Sequence, residues 1–336
     1  MVFYSPREAR KRGPAPEGPV THDPEERIIE EIRSGDDISL ERSLLVISGL
    51  TVEQEIGDYR KKLDTIHEAY LTSFASRFPI GAPPRREYTA LLRAQALFEY
   101  LWNAKPRRCD GSVLLTDVID GHLSPDPGRY VGSCVGLTSL YTVLGLREGL
   151  RLTVLTNGSH VLNRLTSDER ACNIENTDPL GFACALPDTS FIEYPAVMIV
   201  AHVLNGRGRA REKANDLAAA ERDYTKAILV NPAYAAAHNN RGTVRFLRQD
   251  YALALADYER AMDLDRRMIE ALFNRGLARI HMGTYREAAD DFDRVLRIDP
   301  GYKDARTCRA FALAKAGDPA RVPQEQLRPL RPEHED

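Results

Sequence analysis

Residues 132–165 read GSCVGLTSLYTVLGLREGLRLTVLTNGSHVLNRL, and the order of elements in this stretch decides the fold of the first half of the chain. Leu137, Leu140, Tyr141 and Leu144 recur at helical spacing behind Cys134, with Gly149 as a stop signal, so the pattern predicts a helix from Cys134 to about Arg147. Leu152 to Thr156 reads as a strand, Asn157-Gly158 as a two-residue hairpin turn, and His160 opens the returning strand. After a polar loop at Thr166 to Arg170, Cys172-Asn173-Ile174-Glu175 reads as a third short strand, with Ile174 facing one way and Asn173 and Glu175 the other.

That order sets out the parts of a thiol site. A cysteine in the first turn of a helix faces unpaired N–H groups and the positive end of the helix dipole, which favour an anion and can hold a developing oxyanion. Gly132 allows a sharp backbone turn just before it. His160 is the candidate base, and either Asn173 or Glu175 could orient its ring. His122, in the stretch Asp117 to Tyr130 that reads as a proline-interrupted loop, is the competing base; a loop fixes an imidazole less firmly than a strand does. Cys109, Cys172, Cys184 and Cys308 show no CxxC pairing and no histidine at ligand spacing, so no metal site is expected, and the chemistry needs no cofactor.

Residues from about Ile38 to Pro195 resemble the bacterial transglutaminase-like domain of the SirB type, which is followed by TPR repeats. The resemblance lies in Leu40 to Leu45, Tyr59 to Leu63, GSCVGLTSLYTVLGLREGL at 132–150, GSHVLNRL at 158–165 and CNIENTDPLGF at 172–182. It implies an α+β transglutaminase-like (papain-like) domain with a catalytic triad of Cys134, His160 and Glu175, and with Asn173 nearby as a papain-like substitute. Two positions depart from the wider class. Val135 stands where tryptophan is usual, and Glu175 where aspartate is usual. The implied activity is cysteine-dependent acyl transfer or amide hydrolysis.

The second half carries an internal repeat. Gly208, Gly242 and Gly276 lie 34 residues apart, as do Ala220, Ala254 and Ala288, and Tyr224, Tyr258 and Phe292. Pro232 and Pro300 share a position at which Arg266 is the departure. This is the tetratricopeptide period, in which small residues let paired helices approach and an aromatic fills the space between them. An all-α TPR solenoid of about three repeats is therefore expected over 199–318, closed by a capping helix at Lys303 to Lys315. The first helix of each repeat lines the concave surface, where Asn239, Asn240, Phe246, Phe273 and Asn274 form a groove for a protein or peptide ligand. A non-catalytic scaffold, with the repeats binding partners, is the competing function.

The 336 residues, 43% of them hydrophobic, suit a protein of more than one domain. The boundaries fall at 1–35 for a flexible arm ending in a short helix around Pro24 to Arg33, at 36–198 for the first domain, and at 319–336 for a proline-rich disordered tail. Helices are expected at Leu40 to Ser48, Val52 to Ser76 and Tyr88 to Asn103, the last ending near Trp102, which packs on the core. The 46 basic and 49 acidic residues give a net charge of -3, which argues against nucleic-acid binding. The short strips Arg10 to Arg12, Arg85-Arg86 and Arg207 to Lys213 read as surface or domain contacts. No run approaches the roughly 18 apolar residues of a membrane span, and no secretory pattern is visible, so a cytoplasmic location is expected. The odd count of 5 cysteines suits a reducing compartment.

Overall fold

The computed structural model describes residues 23–317 apart from 37, 79–87, 108–110, 127, 158–159, 169 and 187–190. Its elements run α1 (Pro24–Ser34), α2 (Leu40–Ile47), α3 (Glu53–Ala75), α4 (Ala90–Ala104), α5 (Leu115–Leu123), α6 (Cys134–Arg147), then β1 (Leu152–Thr156), β2 (Val161–Thr166), β3 (Ala171–Ile174), β4 (Phe182–Cys184) and β5 (Ile192–Pro195). Seven helices follow: α7 (Ile199–Lys213), α8 (Leu217–Val230), α9 (Ala235–Leu247), α10 (Tyr251–Leu264), α11 (Ile269–His281), α12 (Tyr285–Ile298) and α13 (Lys303–Lys315).

Helix α6 is the centre of the first half. Every residue from Gly136 to Gly145 is buried, because α4, α5 and α7 pack on it together with the sheet. A helix apolar all round has no solvent face and must be surrounded. Its glycines are closely approached: a Cβ on Gly136 would lie 2.7 Å from the Ser112 carbonyl oxygen, and one on Gly145 would lie 2.5 Å from Leu152 Cδ1. At its C-terminal end Glu148 is buried between helices, its carboxylate 2.5 Å from His67 Nε2 and its carbonyl accepting from Arg93.

The sheet is antiparallel throughout, in the order β4-β3-β2-β1-β5. Thr156 pairs with Val161, and Asn157 N donates to His160 O, so the hairpin closes beyond the Asn157-Gly158 turn read from sequence. Gly158 and Ser159 lie outside the described residues. Strand β3 stops at Ile174, which leaves Glu175 just past its end, where it starts a turn.

One expectation is corrected and another is met. The stretch expected as a loop from Asp117 is helical as far as Leu123, because Leu115, Val118, Ile119 and His122 fall on one face and are all buried. Gly121 and the prolines beyond it disguise this periodicity. The short helix expected around Pro24 to Arg33, at the end of the arm of residues 1–35, is present as Pro24–Ser34 and is well capped. Asp23 accepts from Glu25 N at 3.0 Å, Pro24 occupies the first turn, and Gly35 closes the end with φ 76°. Ile28, Ile29 and Ile32 are buried where α1 meets α2 and α8. Residues 1–22 and the tail at 319–336 lie outside the described residues.

In the second half, helices pair as α7/α8, α9/α10 and α11/α12, with α13 on the last pair. A Cβ on Gly208, Gly242 or Gly276 would come within 2.7 Å of the ring of Tyr224, Tyr258 or Phe292 respectively, which is why that position is glycine in each repeat. A second periodic feature accompanies it. Arg207, Arg241 and Arg275 each grip the aspartate 16 residues on, Asp223, Asp257 and Asp291, through two nitrogens at 2.5–3.0 Å. Arg211, Arg245 and Arg279 add a second cation to the same carboxylates at 2.7–2.9 Å. The Arg-Gly and Asp-aromatic dipeptides recurring every 34 residues carry this signal in the sequence.

The two halves share one core. Ile199, Val200, Ala201, Val203 and Leu204 of α7 are fully buried and belong to the same apolar cluster as α6 and the sheet. Arg207 is buried at the junction, bonding Glu25 of α1, Asp223 of α8 and the Ile47 carbonyl of α2. The sequence reading of Arg207 to Lys213 as a surface or contact strip therefore resolves, for Arg207, to a contact. Removing one member of a buried ion network strands its partners, at a cost of about 3 kcal/mol or more. We expect Arg207→Met to lower the urea-unfolding free energy by about that amount and by more than Arg275→Met, whose arginine spans no junction; equal losses would contradict the role assigned to Arg207.

Candidate active site

The N-terminus of α6 is set by Gly132 and Ser133. Gly132 has φ 70°, a left-handed conformation that a side chain resists. Ser133 caps the helix, its N–H donating to Ser112 O at 2.8 Å and its hydroxyl to the same carbonyl at 3.0 Å while accepting from Gly136 N at 3.5 Å. Cys134 is the first helical residue, as its position in the sequence predicts, and is half-buried.

His160 stands immediately before β2, its backbone N–H donating to Asn157 Oδ1 at 2.9 Å. Its ring bonds through Nε2 to Glu175 Oε2 and is close enough to the Cys134 thiol for the sulfur to act on its protonation. The bond from Cys134 and then that from Glu175 raise the His160 ring to about 10, against a smaller opposing effect of burial. Both neighbours favour the charged ring. Burial pushes the Glu175 carboxyl up, but the bonds from His160 and Thr177 outweigh it and hold the group below the ordinary carboxylate value. Thr177 donates to Glu175 Oε1 from its backbone N at 2.8 Å and from its hydroxyl at 2.6 Å, which fixes the second oxygen and aims the first at the ring.

Of the two residues left open by the sequence, Glu175 meets the imidazole. Asn173 turns its amide to the Cys184 carbonyl at 3.1 Å, across the β3–β4 pair. His122 is buried in the core on α5, its ring 6.0 Å from that of Tyr100. Trp102 stacks on Phe98 at 6.3 Å.

Behind the three side chains lies a buried polar lattice that sequence reading missed. Thr138 Oγ1 on α6 donates to Val161 O on β2 at 3.3 Å, and Asn163 Nδ2 on β2 donates to Thr142 Oγ1 on α6 at 2.7 Å. Asn176, next to Glu175, donates to Asn163 Oδ1 at 2.9 Å and to Thr138 Oγ1 at 3.3 Å. The lattice thus ties together the three elements that carry Cys134, His160 and Glu175. An asparagine within the inward alternation of β2 is the signal that could have revealed it.

Side chains of the solenoid form a second polar cluster. Tyr234, just before α9, is buried with its ring 4.4 Å from that of His202 on α7, and its hydroxyl accepts from Asn205 Nδ2 at 3.3 Å. Burial raises its phenol above the ordinary value, and the charge of Cys134 adds to the effect. Asn240 donates to Asn205 Oδ1 at 3.0 Å, Asn239 to Asn240 Oδ1 at 3.4 Å, and Asn274 to Asn239 Oδ1 at 3.3 Å. The groove amides therefore contact one another across successive helices. Phe246 packs against Tyr251 and His281, and Phe273 against Phe292 and Tyr302. Among the described residues no group of three His, Cys, Asp or Glu side chains could hold a metal ion, and no helix is long and apolar enough to cross a membrane.

Family models of the tetratricopeptide repeat match residues 205–269 and 246–312. The C-terminal region is built of such repeats. Comparison with curated proteins finds no match. Among solved structures, the first TPR of Spaghetti (RPAP3) bound to the HSP90 peptide SRMEEVD is 27% identical, covering 35% of this chain and 93% of that one with a TM-score of 0.35. The Arabidopsis OM64 TPR domain is 30% identical over 34% of this chain and 95% of its own, TM-score 0.34. The second TPR domain of human RPAP3 in complex with the HSP70 peptide SGPTIEEVD is 31% identical over 33% and 97%, TM-score 0.32.

The raised His160 value has a stability consequence. Its bonds to Cys134 and Glu175 contribute fully below the unfolded value of about 6.5, and that contribution is lost as pH rises toward about 10. The unfolding free energies of the wild type and His160→Gln should therefore differ most near pH 6 and converge by about pH 10. A gap unchanged over that range would contradict a charged ring.

Proposed function

We propose that this protein is a thiol-dependent acyl-transfer or amide-hydrolysing enzyme of transglutaminase-like architecture, coupled to TPR repeats that engage a protein or peptide. The observation that carries the reading is His160, bonded to Glu175 and next to Cys134 at the first turn of α6, with the two groups together favouring its charged form. An imidazolium and a helix N-terminus flank one sulfur, which is the setting a thiolate–imidazolium pair needs. In this reading the Cys134 sulfur attacks the carbonyl carbon of an amide, and helix-start N–H groups stabilise the oxyanion. The C–N bond breaks as His160 passes its proton to the leaving amine. Water or a second amine then attacks the thioester with His160 as base, releasing the acyl group and restoring the thiol.

A second reading is supported by the repeat matches at 205–269 and 246–312: a scaffold whose first domain is a platform and whose repeats hold partner proteins. Protein-binding repeats are common to both readings. Thiol reactivity separates them.

The other described thiols are poorly suited to the chemistry. Burial raises Cys172, Cys184 and Cys308 above the ordinary thiol value. In the folded protein at about pH 6, iodoacetamide should modify Cys134 at least about tenfold faster than these three, and His160→Ala should slow that reaction. Peptide mapping by mass spectrometry reads each site separately. Uniform labelling across the four would favour the scaffold.

A further inference from the structure

The turn after β3 is closed around Glu175. The Glu175 N–H donates to the Gly181 carbonyl at 2.9 Å, the Gly181 N–H to the Asp178 carbonyl at 2.9 Å, and the Leu180 N–H to the Asp178 carboxylate at 2.8 Å. Gly181 is buried, with no room for a side chain. A Cβ there would lie 2.1 Å from the Glu175 carbonyl oxygen and 2.8 Å from Glu175 Cβ. Those atoms sit on the main chain or next to it, so any larger residue at 181 has to displace Glu175 itself. At the other end of the side chain, Thr177 gives Oε1 two donors, its backbone N–H at 2.8 Å and its hydroxyl at 2.6 Å, while Oε2 meets His160 Nε2.

A glutamate side chain turns about several bonds, and an acid held by one partner alone retains much of that freedom. Here the root is set by the close approach of Gly181 and the tip by bonds to an ionised acceptor, which are stronger than neutral ones. We propose that Thr177 and Gly181 are positioning residues, which hold the Glu175 carboxylate on the His160 ring from its two ends. Their effect on the thiol rests on the reading of Cys134 as a nucleophile; their effect on the ring does not. The chemistry of position 177 follows from its two donors. Serine keeps both, whereas valine keeps the N–H and the branched shape and loses the hydroxyl.

Two readouts on the full chain separate placement from chemistry: the nuclear magnetic resonance titration of the His160 ring, and the rate at which iodoacetamide alkylates Cys134 at about pH 6. A carboxylate that swings away no longer favours the charged ring, so the proton leaves at lower pH. In Thr177→Val the midpoint should fall by about half a pH unit or more and alkylation should slow about threefold or more. Thr177→Ser should match the wild type in both, and Gly181→Ala should lower the midpoint as Thr177→Val does. In a Glu175→Gln background, adding Thr177→Val should move the midpoint no further, because the threonine acts through the carboxylate. A wild-type midpoint in Thr177→Val, or a shift that persists undiminished in the Glu175→Gln background, overturns the proposal. If the midpoints move as expected while wild-type Cys134 reacts no faster than Cys172, Cys184 and Cys308, the positioning role stands and the nucleophile reading falls.

Discussion

The placement of α6 is the constraint on which the rest depends. A helix buried on every side gains from burial in many rotations and registers, since apolar contact is non-directional. Direction comes from the hydrogen bonds inside that core. Thr138, Thr142, Asn163 and Asn176 satisfy one another where any unpaired amide or hydroxyl would cost roughly 1–3 kcal/mol. The observed register of α6 against β2 and the turn after β3 does this. The same register sets Cys134 beside His160 and His160 beside Glu175. Packing and chemistry are thus fixed by one lattice.

Helix α7 extends that order into the second half. Its first residues complete the core of the α6 region, and its later ones open the first repeat. Arg207 joins three elements there, and the periodic Arg–Asp grip it shares with Arg241 and Arg275 carries the geometry along the solenoid. A repeat array transmits position through each neighbour in turn.

Much of this was legible in the residues. The 34-residue period is strong because each glycine faces an aromatic that excludes any Cβ, and local spacing around Cys134 and His160 names the helix and hairpin that present them. What escaped reading depends on contacts remote in sequence. Asn163 and Asn176 look like ordinary polar residues until α6 lies between them and the core. Asn205 and Tyr234 lie 29 residues apart, so no spacing rule reveals that their side chains meet. Helix α5 was hidden by Gly121 and the prolines that follow, whereas α1 was legible in its sequence and its three isoleucines mark its buried face.

The central claim is that His160 is a cation held between Cys134 and Glu175, and nuclear magnetic resonance titration of its ring tests this most directly. With isotope-labelled histidine, the His160 signals should remain those of an imidazolium through neutral pH and change near the value of about 10, moving to lower pH in Cys134→Ser and in Glu175→Gln. A ring that titrates near 6.5, as a free histidine does, in the wild type and in both variants alike, would contradict the account.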